Sequence, residues 1–373
     1  MGLGGVDFAA APARQEKAVA ERVATIDAAV EKTASAYMAD PQTVGLSIGV
    51  AHAGTTRSYH FGAADRTAGK APTDTTLYAI GSLTKTFAGA LMAQAALAAT
   101  LTLDDDIRRY LDGEFPNLVF DGRPIRLAEL LNHRSGLPRF LPVPPMGPSG
   151  EDGAAANRRA ERLMARASRA DFYAALRQVR LTNRPGTRFE YSNAAAQLAG
   201  YVLERLGGAS FETLVKDRLA APLGMRDTTI TVTAAQRARL AAGYDETGTR
   251  QAASPDQFQA AGALRSTLAD MLKYTRWQLD QHDPVVRLTH VPTYTNDDYA
   301  VGLNWQMVRS DGRRVIFQDG AVPGFASLCV LQPELNLGIV ILSNELGPVT
   351  MDGLSTMANQ ILRDIDARSV AKP

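Results

Sequence analysis

Ser82 and Lys85 stand three residues apart in GSLTKTF, Gly81 to Phe87, where an extended apolar segment gives way to a long run of alanine, leucine and methionine. Positions i and i+3 of a helix share a face, so the hydroxyl and the ammonium can meet at the first turn. A serine hydroxyl is a weak nucleophile until a base takes its proton, and an ammonium withdrawn from water has a lowered pKa and can become that base. Backbone N–H groups at the helix start suit a developing oxyanion, the amide of Ser82 first. The spacing alone fits equally well a surface lysine that pairs with a nearby carboxylate. The same S-x-x-K recurs at Ser369 and Lys372 in the C-terminal tail, where nothing around it suggests chemistry. Context separates the two: only Ser82 stands at a strand-to-helix entry, beside a glycine, before a helix apolar on all faces.

A second group must orient Lys85 and protonate a leaving group. YSN, Tyr191 to Asn193, follows the turn-like NRPGTRFE and precedes the helical AAAQLAGYVLERL. Ser192 or Asn193 would cap that helix, and a capped helix with a half-buried tyrosine is the plainer reading of the tripeptide by itself. A tyrosine can also act as general base and acid where neighbouring cations stabilise its phenolate. The Y-x-N spacing of Tyr294 to Asn296 precedes a strand among acidic residues that would not favour a phenolate, so Tyr191 is preferred. His52, His60, His282 and His290 have no metal-ligand spacing. There is no metal motif and no phosphate-binding glycine motif, and no cofactor is expected.

The elements that must hold these residues follow from periodicity. Apolar residues at Val19, Val23, Ile26, Val30 and Tyr37 predict an amphipathic helix from Ala18 to Tyr37, lying on a sheet. Thr43 to Gly54 and Thr56 to Asp65 read as a hairpin around an Ala-Gly turn. Leu83 to Ala99 is apolar nearly all round, the mark of an interior helix. Signals from Leu101 to Pro255 are mostly helical, with a Pro/Gly-rich break at Leu141 to Gly153 that could form a lid or rim. After Tyr299 come four strand-like runs, YAVGLNWQM, RRVIFQDG, FASLCVLQPE and LGIVILSN, and a last helix from Met351 to Asp366. The expected fold is α+β: a mainly antiparallel sheet flanked by terminal helices, built from residues 18–100 and 256–373, with an inserted, mostly helical lobe at 101–255. The active site would lie between the lobes.

Composition excludes several function classes. In 373 residues the formal net charge is +1 and the charges are scattered, which gives no case for nucleic acid. No apolar run is long enough for a membrane span. Cys329 is the one cysteine, so no intramolecular disulfide forms, and its place in SLCVLQ suggests a buried, unreactive thiol. Residues 1–17 read as a disordered tail or as a signal-peptide remnant, since AAAPA resembles a signal-peptidase site. The second reading implies a periplasmic or secreted protein, the first is compatible with the cytoplasm. Oligomeric state has no signal in the sequence.

Taken together, LYAIGSLTKTF, LAELLNHRSGLP, PGTRFEYSN, APLGM, AGALRSTLADM, YAVGLNW, GAVPGFAS and ILSN resemble, in order, the serine β-lactamase-like superfamily. The branch is that of class C β-lactamases, D,D-carboxypeptidases, D-amino-acid amidases and family VIII carboxylesterases, and the resemblance runs from Val44 to Asn344. It implies a β-lactamase/transpeptidase-like fold and an acyl-enzyme on Ser82, with Lys85 as base partner and Tyr191 shuttling the proton to and from leaving group and water. Asn193 would bind Lys85 or a substrate amide carbonyl, and His133 would belong to a structural turn as a packing or hydrogen-bonding residue. The third motif of the family, K/H-T/S-G or W-G-G, is here Gln318-Asp319-Gly320, a departure. Glutamine and aspartate cannot repeat the charge match to a substrate carboxylate. Strand alternation puts Gln318 and Gly320 on one face and Asp319 on the other, so Asp319 could point away from the cleft. The amide of Ala321 is the candidate second oxyanion donor.

The sequence therefore points to a serine acyl hydrolase acting on a small-molecule ester or amide, esterase first. A D-stereospecific amidase or peptidase shares every catalytic residue, and Asp319 could there meet a substrate amine. β-Lactamase or D,D-carboxypeptidase activity is disfavoured by Gln318 and Asp319. An acyltransferase would differ only in its acceptor, and a non-catalytic scaffold or sensor with the same fold is the reading from another class.

Overall fold

Near-continuous apolar runs mark strands covered on both faces, and strands with interleaved polar residues mark edges. The computed structural model, which describes residues 10–143, 155, 159, 163, 166–252 and 259–370, follows that rule. GLSIGVAH (β1, Gly45–His52) and TTRSYHFG (β2, Thr55–Gly62) form the expected hairpin, closed by Ala53 and Gly54 at positive φ, as a tight two-residue turn requires. β1 is buried almost throughout and β2 only at one position, so β2 is an edge. The C-terminal strands are β3 (Tyr294–Thr295), β4 (Tyr299–Val301), β5 (Gln306–Ser310), β6 (Arg313–Val322), β7 (Phe325–Gln332) and β8 (Leu337–Ser343). All pairs are antiparallel, in the order β2-β1-β8-β7-β6-β5-β4-β3. The fully buried runs FASLCVLQ and LGIVILS occupy the centre. YAVGLNWQM is not one strand: Asn304 at positive φ breaks it into β4 and β5.

One face of the sheet carries the two terminal helices, α1 (Ala10–Met38) and α5 (Thr350–Val370). Ile26 and Val30 of α1 and Leu354 and Ile361 of α5 pack with Leu46, Ile48, Leu328 and Ile341. α1 begins at Ala10 rather than Ala18, so the expected tail is shorter, and residues 1–9 lie outside the described residues. The other face meets α2 (Thr84–Leu97), α3 (Asn193–Gly207) and α4 (Leu268–Leu279) in one continuous core that reaches into the helical lobe. The residues are alternate ones: Cys329, Val340 and Leu342 face this side, Leu328 and Ile341 the other. Cys329 is fully buried, which raises its thiol pKa to about 12. The break at Leu141 to Gly153 lies largely outside the described residues. Among the described residues no helix is long and apolar enough to cross a membrane.

Candidate active site

From Thr76 to Ala93 every residue is buried except Ser82. The segment passes from a short strand, Leu77–Ala79, into a 3-10 turn, Gly81–Leu83, and then into α2, so the serine is set at the first turn of an interior helix. Two glycines make the position possible. Gly81 has φ +50°, and a methyl group there would lie 2.8 Å from the amide nitrogen of Ala321. A methyl on Gly320 would lie 2.2 Å from the Ile80 carbonyl oxygen and 2.9 Å from the amide nitrogen of Ser82. The turn and β6 therefore touch backbone to backbone, an approach that only glycine permits. Ser327 on β7, paired with Gly320, donates its hydroxyl to the Ile80 carbonyl at 2.8 Å and ties the contact down. The backbones that carry the Ser82 and Ala321 amides are thereby held against each other.

Lys85 is wholly buried. Its Nζ donates to Asn193 Oδ1 at 2.8 Å and to the Ala261 carbonyl at 2.5 Å, and lies 2.8 Å from Ser82 Oγ. Two of these partners are carbonyl oxygens, which only accept. They fix two of the nitrogen's directions and aim the third at the serine. When the amine is neutral, that third direction is its lone pair. Burial lowers the Lys85 pKa to about 7, with Asp319 acting against the shift and Arg139 adding to it. The helix is itself clamped: Asn304 Nδ2 donates to the Lys85 carbonyl at 2.8 Å, and the Leu264 amide to Thr84 Oγ1 at 3.2 Å.

Tyr191 donates its hydroxyl to Ser82 Oγ at 2.8 Å. Ser192 caps α3 by accepting from the Ala195 amide at 2.9 Å, and donates to the Pro138 carbonyl at 2.7 Å. The Asn193 amide donates to the Arg139 carbonyl at 2.9 Å. His133, at positive φ, accepts the Ser192 amide on Nδ1 at 3.3 Å and packs on the Tyr191 ring with centroids 4.3 Å apart. Burial, with the charges of Lys85 and Arg139, lowers its pKa to about 3, so it is a neutral support under the tyrosine. Burial also raises the Tyr191 pKa above the ordinary phenol range, and Asp319 adds to the rise. The Ser82 hydrogen bond and the Arg139 guanidinium, over the ring at 5.5 Å, act the other way without reversing it. The balance favours the phenol, because desolvation penalises the anion more than the nearby cations favour it.

On the strand side Gln318 is buried and Asp319 half-buried. The Gln306 side-chain amide donates to Gln318 Oε1 at 3.1 Å and to Asp319 Oδ1 at 3.2 Å, and Gln306 Oε1 accepts from the Tyr299 hydroxyl at 2.7 Å. Asp319 raises the pKa of both Lys85 and Tyr191, so its charge acts on the Ser82 cluster. Among the described residues no group of three His, Cys, Asp or Glu could hold a metal.

A model of the Beta-lactamase family matches residues 30–361. The chain belongs to that family. A curated β-lactamase from Lysobacter lactamgenus is 25% identical, over 90% of this chain and 91% of its own. One from Pseudomonas fluorescens is 24% identical, over 86% and 93%. The crystal structure of a β-lactamase/D-alanine carboxypeptidase from Yersinia pestis, complexed with citrate, superposes with a TM-score of 0.78 and 22% identity, covering 92% of this chain and 99% of that one. The chain thus has the β-lactamase/transpeptidase-like fold in a family of serine hydrolases.

The structure brings together Ser82, Lys85, Tyr191 and Asn193 within one hydrogen-bonded cluster and sets Gly320 and Ala321 against the serine's turn. The reading from sequence missed Ser327, Asn304, the Ala261 carbonyl, Gln306 and Arg139. Three of these had a signal: Ala261, Asn304 and Ser327 fall inside the runs AGALRSTLADM, YAVGLNW and GAVPGFAS that resemble the family. A backbone carbonyl has no residue-type signature, so the run that holds Ala261 did not show that its carbonyl would meet Lys85.

Proposed function

We propose that the protein is a serine acyl hydrolase that works through an acyl-enzyme on Ser82, with an ester as its first substrate class. One observation carries the reading: Ser82 Oγ has both Lys85 Nζ and Tyr191 OH at 2.8 Å, and is the one incompletely buried residue of its segment. With its pKa lowered to about 7, Lys85 is neutral in about half of the molecules at pH 7 and can take the Ser82 proton. The Ser82 oxygen then adds to the carbonyl carbon, and the Ser82 and Ala321 amides hold the resulting oxyanion. As the intermediate collapses, Tyr191 gives its proton to the leaving alkoxide and regains one from the Lys85 ammonium. Water reverses the sequence: its proton passes to the Lys85 and Tyr191 pair as it adds to the acyl carbon, and Ser82 Oγ leaves and is reprotonated.

The activities named for the relatives, β-lactamase and D-alanine carboxypeptidase, involve substrates that carry a carboxylate beside the scissile amide. Gln318 and Asp319 supply no cation from the strand, and Asp319 opposes such a group, which supports ester hydrolysis over those activities. An amidase remains within the same chemistry and differs in the leaving group to be protonated. Intact mass after incubation with a small fluorophosphonate, an activated ester and a penicillin tests the reading. A single adduct that disappears in Ser82→Ala, with turnover of the ester, is the expected result. Turnover of the penicillin in place of the ester overturns the substrate class, and no adduct in folded protein overturns the enzyme reading in favour of a non-catalytic scaffold.

A further inference from the structure

We propose that Asp319 makes this cleft selective for esters or amides that carry a cationic amine beside the scissile carbonyl. The inference rests on the acyl-hydrolase reading and names its substrate class.

Asp319 precedes Gly320, the residue whose backbone touches the Ser82 turn, and stands two positions before the oxyanion candidate Ala321. The carboxylate is half-buried and held by one neutral hydrogen bond, from Gln306 at 3.2 Å, and among the described residues no Lys, Arg or His forms an ion pair with it. Other carboxylates of the chain, such as Asp106, Asp227 and Glu129, have arginine partners. A half-buried, uncompensated charge is unfavourable, and a ligand cation relieves that penalty on binding.

The wall beside it suits the same ligand. His133 packs on Tyr191 and, edge-on at 5.8 Å, on Phe189; Phe189 in turn meets Tyr299 at 5.5 Å and Tyr294 at 6.1 Å. Tyr299 is tied to Asp319 through Gln306. Phe189, Tyr294 and Tyr299 are all partly exposed, and Tyr299, joined to Asp319 through Gln306, offers an aromatic ring of the kind that attracts ammonium groups. The opposing charges are Arg139, exposed over the Tyr191 and Phe140 rings, and Arg134, whose guanidinium lies 4.5 Å from the Tyr294 ring centroid.

The test is a matched ester series with a trimethylammonium, a tert-butyl or a carboxylate group at one distance from the carbonyl, prepared once with the charge on the acyl part and once on the alcohol. The expected order of kcat/KM is cation over neutral isostere by about tenfold, then the anion, in at least one arm. In Asp319→Asn, which keeps the Gln306 contact, the cation-to-neutral ratio falls to about one, and in the parent it shrinks as salt is added. Equal rates, or a preference for the carboxylate through Arg139, overturn the proposal. Binding of the same compounds to Ser82→Ala, by calorimetry, separates the two failures. A cation preference in Kd without turnover in the parent upholds the recognition by Asp319 and sinks the hydrolase reading, whereas turnover without a preference in rate or Kd does the opposite.

Discussion

Two serines of this chain sit at the centre of hydrogen-bonded networks, and only one is placed to react. Ser47 Oγ lies 2.9 Å from His60 Nδ1, whose Nε2 lies 3.1 Å from Asp74 Oδ1, a hydroxyl, imidazole and carboxylate in the order of a catalytic triad. Ser47 is nevertheless fully buried, bonded also to Tyr78 OH at 2.9 Å, and set in the middle of β1. Neighbours on both sides, β2 and β8, use the backbone groups of that strand, so none is left to hold an oxyanion. Ser82 has a less familiar partner in lysine, yet it opens to the cleft at a helix start where amides are unspent. Residue types at bonding distance therefore do not make a site. Access and free backbone donors do.

The comparison is broken most directly by removing each hydroxyl. Ser82→Ala and Lys85→Ala should each lower kcat/KM by about a thousandfold or more in ester hydrolysis. Ser47→Ala should leave the rate within about twofold and lower the unfolding free energy by about 1–2 kcal/mol in urea melts, because Tyr78 OH and His60 lose a buried partner. A rate loss in Ser47→Ala at unchanged stability would make the two networks equivalent after all.

Next in size is Tyr191→Phe, which keeps the ring on His133 and deletes the proton donor. It should reduce kcat by about a hundredfold or more, with a smaller loss for an ester whose leaving group needs no proton. Gly320→Ala addresses the backbone donors: its methyl must displace the Ile80 carbonyl or the Ser82 amide, and kcat should fall by about a hundredfold with KM little altered.

A finer contrast comes from pH. The reactive form of Lys85 is the neutral amine, so kcat/KM should rise as pH increases through about 7. Because the negative charge of Asp319 favours the ammonium, Asp319→Asn should move that rise to lower pH. A rise displaced upward, or unmoved, would detach Asp319 from the Ser82 cluster. Smallest of all, Asp74→Asn should change stability by no more than about 0.5 kcal/mol, since Asp74 is exposed.

Much of this was legible in the order of residues. The hairpin, the interior helix after Ser82, the buried strands FASLCVLQ and LGIVILS, and the Ser192 cap all follow from local pattern, since each depends on neighbours within one element. Where the chain departed from expectation, distant packing was the reason. α1 extends to Ala10, and YAVGLNWQM is split at Asn304.

By itself the sequence determined the α+β pattern and the pairing of Ser82 with Lys85, because three residues on a helix always share a face. Only the tertiary structure decided that Lys85 sits unhydrated between Asn193 Oδ1 and the Ala261 carbonyl, that Tyr191 reaches Ser82 across the chain, and that Asp319 bears on both. Protonation states and oxyanion donors depend on what surrounds a group in space, and residues far apart in the chain supply those surroundings.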